Sequence, residues 1–138
     1  MKQWLVVVLL TICLALGAGS QLFAQSAAEK IKAANERAAQ DYLKEGLLQA
    51  GEGRDAEAAR AFRQALGIKP NWPEVHSLLG SALARSGNYR EAEAELRKAV
   101  ALKPDYAEGW NFLGEFLKAR GKDQEAQDAF KKARQYSR

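Results

Sequence analysis

Cysteine is nearly absent from this chain: its 138 residues hold one, Cys13, and one histidine, His76. A single cysteine closes no internal disulfide, and one cysteine with one histidine cannot complete a usual zinc site. Disulfide-stapled mini-proteins and zinc metalloenzymes are set aside, and no metal or cofactor is expected. Proline is scarce as well, at three residues, which beside abundant alanine favours helix over sheet. No glycine-rich phosphate loop follows a strand pattern. Neither sign of charge dominates, with 21 Lys and Arg against 17 Asp and Glu, a net charge of +4 and a pI near 9.3. With 47% hydrophobic and 28% charged residues, the composition is globular rather than disordered or collagenous. The length suits one domain or a short array of small units, not an enzyme with a separate cofactor domain.

The one long apolar run is N-terminal. Met1-Lys2-Gln3-Trp4 leads into an uncharged stretch from Leu5 to Leu16, followed by Gly17-Ala18-Gly19-Ser20 and Gln21-Leu22-Phe23-Ala24. One positive charge, an apolar core and a small-residue end are the parts of a secretory signal peptide. Cleavage after Ala24 is preferred over cleavage after Ser20. The competing reading is an uncleaved anchor from Trp4 to Ala24, although the strongly apolar part is short for a spanning helix. Ile12 before Cys13 does not fit a lipoprotein cleavage site, so Cys13 reads as apolar filler of the signal core. Either way the rest of the chain is expected outside the cytoplasm, secreted or periplasmic, or else anchored by its N-terminus. From Gln25 onward there is no cysteine, which suits an oxidising compartment.

A period of 34 residues governs the remainder of the chain. It relates Lys69-Pro70 to Lys103-Pro104; Gly46, Gly80 and Gly114; Gly53, Gly87 and Gly121; and Glu57, Glu91 and Glu125. It also relates Ala58, Ala92 and Ala126; Phe62, Leu96 and Phe130; and Ala65, Ala99 and Ala133. Each unit reads as two helices joined at a glycine. The middle unit predicts helices over Pro73–Ser86 and Asn88–Leu102, with Gly87 as the positive-φ stop and Pro104 ending the unit. Asn71 and Asp105, followed three residues later by Glu74 and Glu108, are the expected caps. Gly80 costs about 1 kcal/mol relative to alanine inside a helix. That cost is expected to be repaid by close approach of the partner helix near Ala92 and Ala99, with Phe62, Leu96 or Phe130 filling the space beside the small pair.

The pattern Trp110, Leu113-Gly114, Ala126, Phe130, Ala133 resembles the tetratricopeptide repeat, whose period is 34 residues. The second unit matches through His76, Leu79, Gly80, Tyr89, Ala92, Leu96, Ala99 and Pro104. The first is looser, with Tyr42 in the aromatic slot and Glu45 where leucine is expected. The resemblance implies an all-α fold, a right-handed α-solenoid of three helix-turn-helix repeats. The expected divisions are 1–24 as signal or anchor, 25–38 as a helical extension, and 39–138 as repeats 39–72, 73–106 and 107–138. Leu66, Val100 and Arg134 occupy one register of the second helices, and Ile68, Leu102 and Tyr136 another. The polar end of each series suits a terminal repeat.

No catalytic constellation is expected, and the chain reads as a non-enzyme. His76 shares the aromatic slot with Tyr42 and Trp110, and its neighbour Ser77 points about 100° away on the helix, so no nucleophile–base pair forms. Glu91, Glu93 and Glu95 alternate with basic residues as a solvated face with weak i,i+4 pairing. Lys69, Lys103, Lys131 and Lys132 are dispersed, which excludes a nucleic-acid footprint. Net charge supports at most a mild preference for acidic partners or anionic surfaces.

What remains is a partner-binding groove. The resemblance implies a concave surface built by the first helix of each repeat, and by register it is expected to include Gln40, Leu43, Leu47, Glu74, Ser77, Ser81, Glu108, Asn111, Glu115 and Lys118. Some members of the family clamp a C-terminal carboxylate with Lys, Asn and Arg. Here Leu43, Leu47, Leu78, Glu108 and Phe112 occupy those places, so the clamp is not expected. Leu43 and Leu47 are either covered by neighbouring structure or offered to a partner. The functional expectation is an exported scaffold for protein–protein interaction with a protein or peptide partner. Membrane contact is expected only through an uncleaved N-terminus. The alternative is a self-associating envelope component, a homodimer formed through apolar surface near Phe130 and Tyr136.

Overall fold

The computed structural model describes residues 1–137. Six helices account for them, with no strand among the described residues: α1 Lys2–Gly51, α2 Asp55–Ile68, α3 Pro73–Arg85, α4 Tyr89–Leu102, α5 Ala107–Ala119 and α6 Asp123–Tyr136. The chain divides into two units, Met1–Glu36 and the part from Arg37 onward, two residues before the repeat boundary expected at residue 39.

The first unit is the apolar part of α1 and its polar continuation. Trp4, Leu9, Leu16 and Phe23 are all more than half exposed. The helix is long and apolar enough, by length and composition, to cross a membrane. Its two hydroxyls are satisfied within the helix, Thr11 Oγ1 donating to the Val8 carbonyl at 2.8 Å and Ser20 Oγ to that of Gly17 at 2.9 Å. A helix that leaves water needs such internal pairing of its polar groups.

The second unit holds the end of α1 and helices α2 to α6. Gly53, Gly87 and Gly121 have φ of 74°, 87° and 74°. Each turns the chain between the two helices of a repeat. The residue after each glycine donates its N–H five residues back, Arg54 to Gln49, Asn88 to Leu83 and Lys122 to Leu117, at 2.8 to 2.9 Å. This is the Schellman closure, in which the left-handed residue lets the helix satisfy its last carbonyls.

The glycines within the first helices answer a different need. A Cβ on Gly46 would strike the ring of Phe62; on Gly80 it would lie 2.6 Å from Leu96 Cγ; on Gly114 it would lie 2.7 Å from the ring of Phe130. The plug residue of each second helix thus sits directly on the glycine of the first. At Gly80 the alanine helix is also close, with the Ala92 carbonyl 3.1 Å from that position. Phe62, Leu79, Leu83, Leu96, Leu113 and Leu117 are the largest side chains closed off from solvent.

The expected caps are not used. Trp72 and Tyr106, not Asn71 and Asp105, precede α3 and α5, and neither helix has a side-chain cap bond. Acidic residues in the first turn, Glu74 and Glu108, instead favour the positive end of the helix dipole. A second tie serves both junctions. His76 Nε2 and Trp110 Nε1 each lie 2.8 Å from the carbonyl of the proline six residues earlier, Pro70 and Pro104. Histidine and tryptophan, alternatives in one register, therefore perform the same anchoring.

Glu91, Glu93 and Glu95 do more than solvate a face. Arg63 bonds Glu91 at 2.6 Å, and Arg97 bonds Glu125 at 2.5 Å, the same pair one repeat later. Lys122 reaches Glu93 at 2.9 Å and His76 Nδ1 lies 2.5 Å from Glu95. Lys122, with Arg97 behind it, holds the Glu93 carboxyl below its ordinary range. Only Arg97–Glu93 is the local i,i+4 pair that the sequence suggested. The terminal registers also differ from expectation. Arg134 is exposed and Val100 buried, but Leu102 is as exposed as Tyr136, at 37% and 38%. That second series therefore does not mark the end of the array.

Candidate functional site

Helices α3 and α5 flank a cavity of about 560 Å³ lined by Glu74, Leu78, Tyr106, Glu108, Asn111, Phe112 and Glu115. Residues 108, 111, 112 and 115 recur at the spacing of one helical face, and residues 74 and 78 do the same on α3. Leu78, Phe112 and Tyr106 supply apolar surface; the three glutamates and Asn111 supply the polar groups. Leu78 and Phe112 are half-buried against the core, so rigid packing holds them in place.

Tyr106 is the pivot between the two helices. It is 8% exposed, and its ring crosses the first turn of α5 where residue 109 is glycine. A Cβ at Gly109 would strike that ring, so the missing side chain is what lets the tyrosine lie there. Burial, followed by the carboxylates of Glu108 and Glu74, pushes the Tyr106 phenol up to about 12. Lys103 is 5.4 Å from the centre of the Tyr106 ring and 3.6 Å from Glu74. The earlier Lys69 stands 4.1 Å over Trp72 in the equivalent register. Each lysine before a junction proline is thus stacked on the aromatic residue that starts the next helix.

Of the ten residues expected in the groove, Glu74, Glu108, Asn111 and Glu115 come together in this cavity. Ser77 does not face a partner: it is fully buried, and its hydroxyl makes no hydrogen bond of good geometry. Its place in the helix turns it inward under the Tyr106 junction, one residue from the exposed face. Ser81 is half-buried and Lys118 exposed, and neither lines the cavity. On α1, Gln40 is half-buried, Leu43 is packed against the core, and Leu47 remains 47% exposed. The leucine pair is therefore split, with one member covered and the other offered to solvent. Leu78, Phe112 and Tyr106 were not among the ten. The spacing held a signal for two of them, since Leu78 and Phe112 each follow a groove glutamate by four residues and so lie beneath it on the same face.

The local charge also reverses what the whole chain suggests. The chain is net basic, yet the cavity is lined by three carboxylates and no cation. A second cavity of about 230 Å³ lies between Arg97, Trp110, Glu125 and Lys132. It offers less, because Arg97 is bound to Glu125 and Lys132 is stacked over Trp110 at 4.1 Å. Among the described residues no cluster of histidine, cysteine or acid could hold a metal ion. Both ring nitrogens of His76 are engaged, one by Pro70 and the other by Glu95.

A family model described as tetratricopeptide repeat matches residues 47–116 and 83–138. The chain is similar in fold to the crystal structure of MamA, with a TM-score of 0.67 and 21% identity over 72% of this chain and 58% of that one. It is similar to the Sgt2 TPR domain from Aspergillus fumigatus, with a TM-score of 0.69 and 23% identity over 72% and 66%. It is also similar to the first TPR of Spaghetti bound to the HSP90 peptide SRMEEVD, with a TM-score of 0.69 and 22% identity over 72% and 79%. The chain spans less than two thirds of the first two structures, and at these identities the likeness speaks for the fold alone. No curated protein sequence matches significantly.

Proposed function

The chain belongs to the tetratricopeptide repeat family, and we propose that its helical array is a non-catalytic scaffold whose groove holds a segment of a partner protein. The observation that carries this reading is the α3–α5 cavity, where an apolar floor and convergent polar groups stand on a packed frame. Binding sites in general have this composition. A photo-reactive amino acid at Asn111, at the centre of the groove face, is expected to cross-link one discrete protein species in cells. The same group at Gln64, an exposed position on α2, is expected to give none. Equal labelling from both positions would overturn the reading.

Export is the second part of the proposal. It is supported by the run of exposed apolar side chains in α1, since a surface of that kind is either removed or covered by lipid. The place of action is then the periplasm or the exterior, with cleavage after Ala24 preferred to retention as an anchor. Intact-mass measurement of the exported protein is expected to show a chain starting at Gln25. A full-length exported product would replace cleavage with anchoring. Self-association through the C-terminal face has less support, because Phe130 turns inward onto Gly114.

A further inference from the structure

The α3–α5 groove combines two features that together describe an occupant. Its floor, Leu78 and Phe112 with the edge of Tyr106, is apolar; its rim is Glu74, Glu108 and Glu115. Lys103 stands 3.6 Å from Glu74 and offsets one carboxylate, so the α5 side keeps two negative charges. We propose that this groove recognises a segment of a partner protein that presents lysine or arginine next to an aliphatic or aromatic side chain. The inference rests on the reading of the array as an interaction scaffold and adds to it the chemistry of the partner.

Complementary charge sets register and excludes wrong partners, and like charges placed together cost several kcal/mol. A segment such as SRMEEVD, the peptide held by the Spaghetti structure, would bring glutamates and a terminal aspartate against glutamates here. Glu108 and Glu115 are seven residues apart, about 10 Å along the helix. A polyproline II segment rises about 3.1 Å per residue with three residues per turn, so two basic side chains three positions apart share one side and can reach both carboxylates. The apolar residue between them meets Phe112, and Asn111 can both donate to and accept from the partner's backbone. A metal cation is a poorer occupant, because the carboxylates form no ligand cluster.

The test selects a displayed library of random dodecapeptides on the immobilised full chain in detergent micelles. Wild type and the Glu108→Lys/Glu115→Lys double variant are compared, with circular dichroism confirming that both fold. Selected sequences are expected to carry two basic residues flanking an apolar one. Their synthetic forms should bind more weakly as salt rises, and about tenfold more weakly to the double variant. Acidic or uncharged selected peptides that the double variant fails to bind would overturn the basic-partner inference and leave the groove reading standing. Peptides held equally by both chains, or no enrichment at all, would overturn both.

Discussion

Leu96→Ala is expected to cost the array about 3 kcal/mol, and the second substitution Gly80→Ala is expected to change sign in its presence. Leu96 is 1% exposed at the centre of the core, and truncating a buried leucine loses both transfer free energy and packing, typically about 2 to 5 kcal/mol. In the wild-type chain a methyl on Gly80 would lie 2.6 Å from Leu96 Cγ and 3.0 Å from Cδ2. The overpacking cost, about 1 to 3 kcal/mol, exceeds the gain of about 1 kcal/mol in helix propensity, so Gly80→Ala alone destabilises. Once Leu96 is alanine the obstruction is gone and the new methyl fills part of the void. The Ala92 carbonyl at 3.1 Å limits that recovery but does not cancel it. Urea unfolding of the four chains gives the double-mutant cycle. If Gly80→Ala destabilises both backgrounds equally, the glycine is there for the Ala92 backbone and not for the leucine.

That cycle probes a contact whose register could be read from the sequence but whose geometry could not. The fold was legible because periodicity is redundant: seven registers repeat at one interval, and chance disruption of one leaves the others. Gly87 could be placed at a turn from its position between two periodic runs. Gly80 was legible only as a tolerated cost, because which side chain covers it depends on the rotation of two helices about their axes. Asn71 and Asp105 misled for a related reason. Cap statistics favour such residues, but here an aromatic residue takes the N-cap position and its ring receives the lysine three residues earlier. Local preference lost to packing.

The groove was legible to a similar depth. Stepping by 34 residues from one first-helix position to the next brought out Glu74, Glu108, Asn111 and Glu115. It also brought out Ser77, because register places a residue on a face without saying how wide that face is. Tyr106 lay outside any first-helix pattern and enters only because Gly109 lets its ring lie over α5. Net charge gave no sign of the three carboxylates that line the cavity. Basic residues are spread over the outer helices, where several are paired with acids of the neighbouring repeat, while the cavity keeps its acids.

The histidine offers the second large effect, and one that pH should reveal. His76 is 3% exposed, with Nε2 at 2.8 Å from the Pro70 carbonyl and Nδ1 at 2.5 Å from Glu95. Both neighbours, the Pro70 carbonyl and the Glu95 carboxylate, are hydrogen-bond acceptors. The bond from His76, ahead of the opposing effect of burial, holds the Glu95 carboxyl below its ordinary value of 4.5. A carboxylate lowered in this way stabilises the folded chain at any pH above its unfolded value. That contribution is lost as pH falls through the folded one. The window for Glu95 therefore lies below pH 4.5. His76→Ala removes two hydrogen bonds, one to a charged group, and opens a void at the repeat junction, so about 2 to 4 kcal/mol should be lost at neutral pH. Measured by urea midpoints at successive pH values, wild type should weaken on the acid side faster than the variant, and the gap between the two curves should narrow to what the void and the lost Pro70 bond contribute. His76→Trp restores the carbonyl bond in the manner of Trp110 but gives Glu95 no partner. It should recover some stability at neutral pH while keeping the variant's shallower acid limb. Parallel curves for all three chains down to the acid limit would show that Glu95 draws nothing from His76.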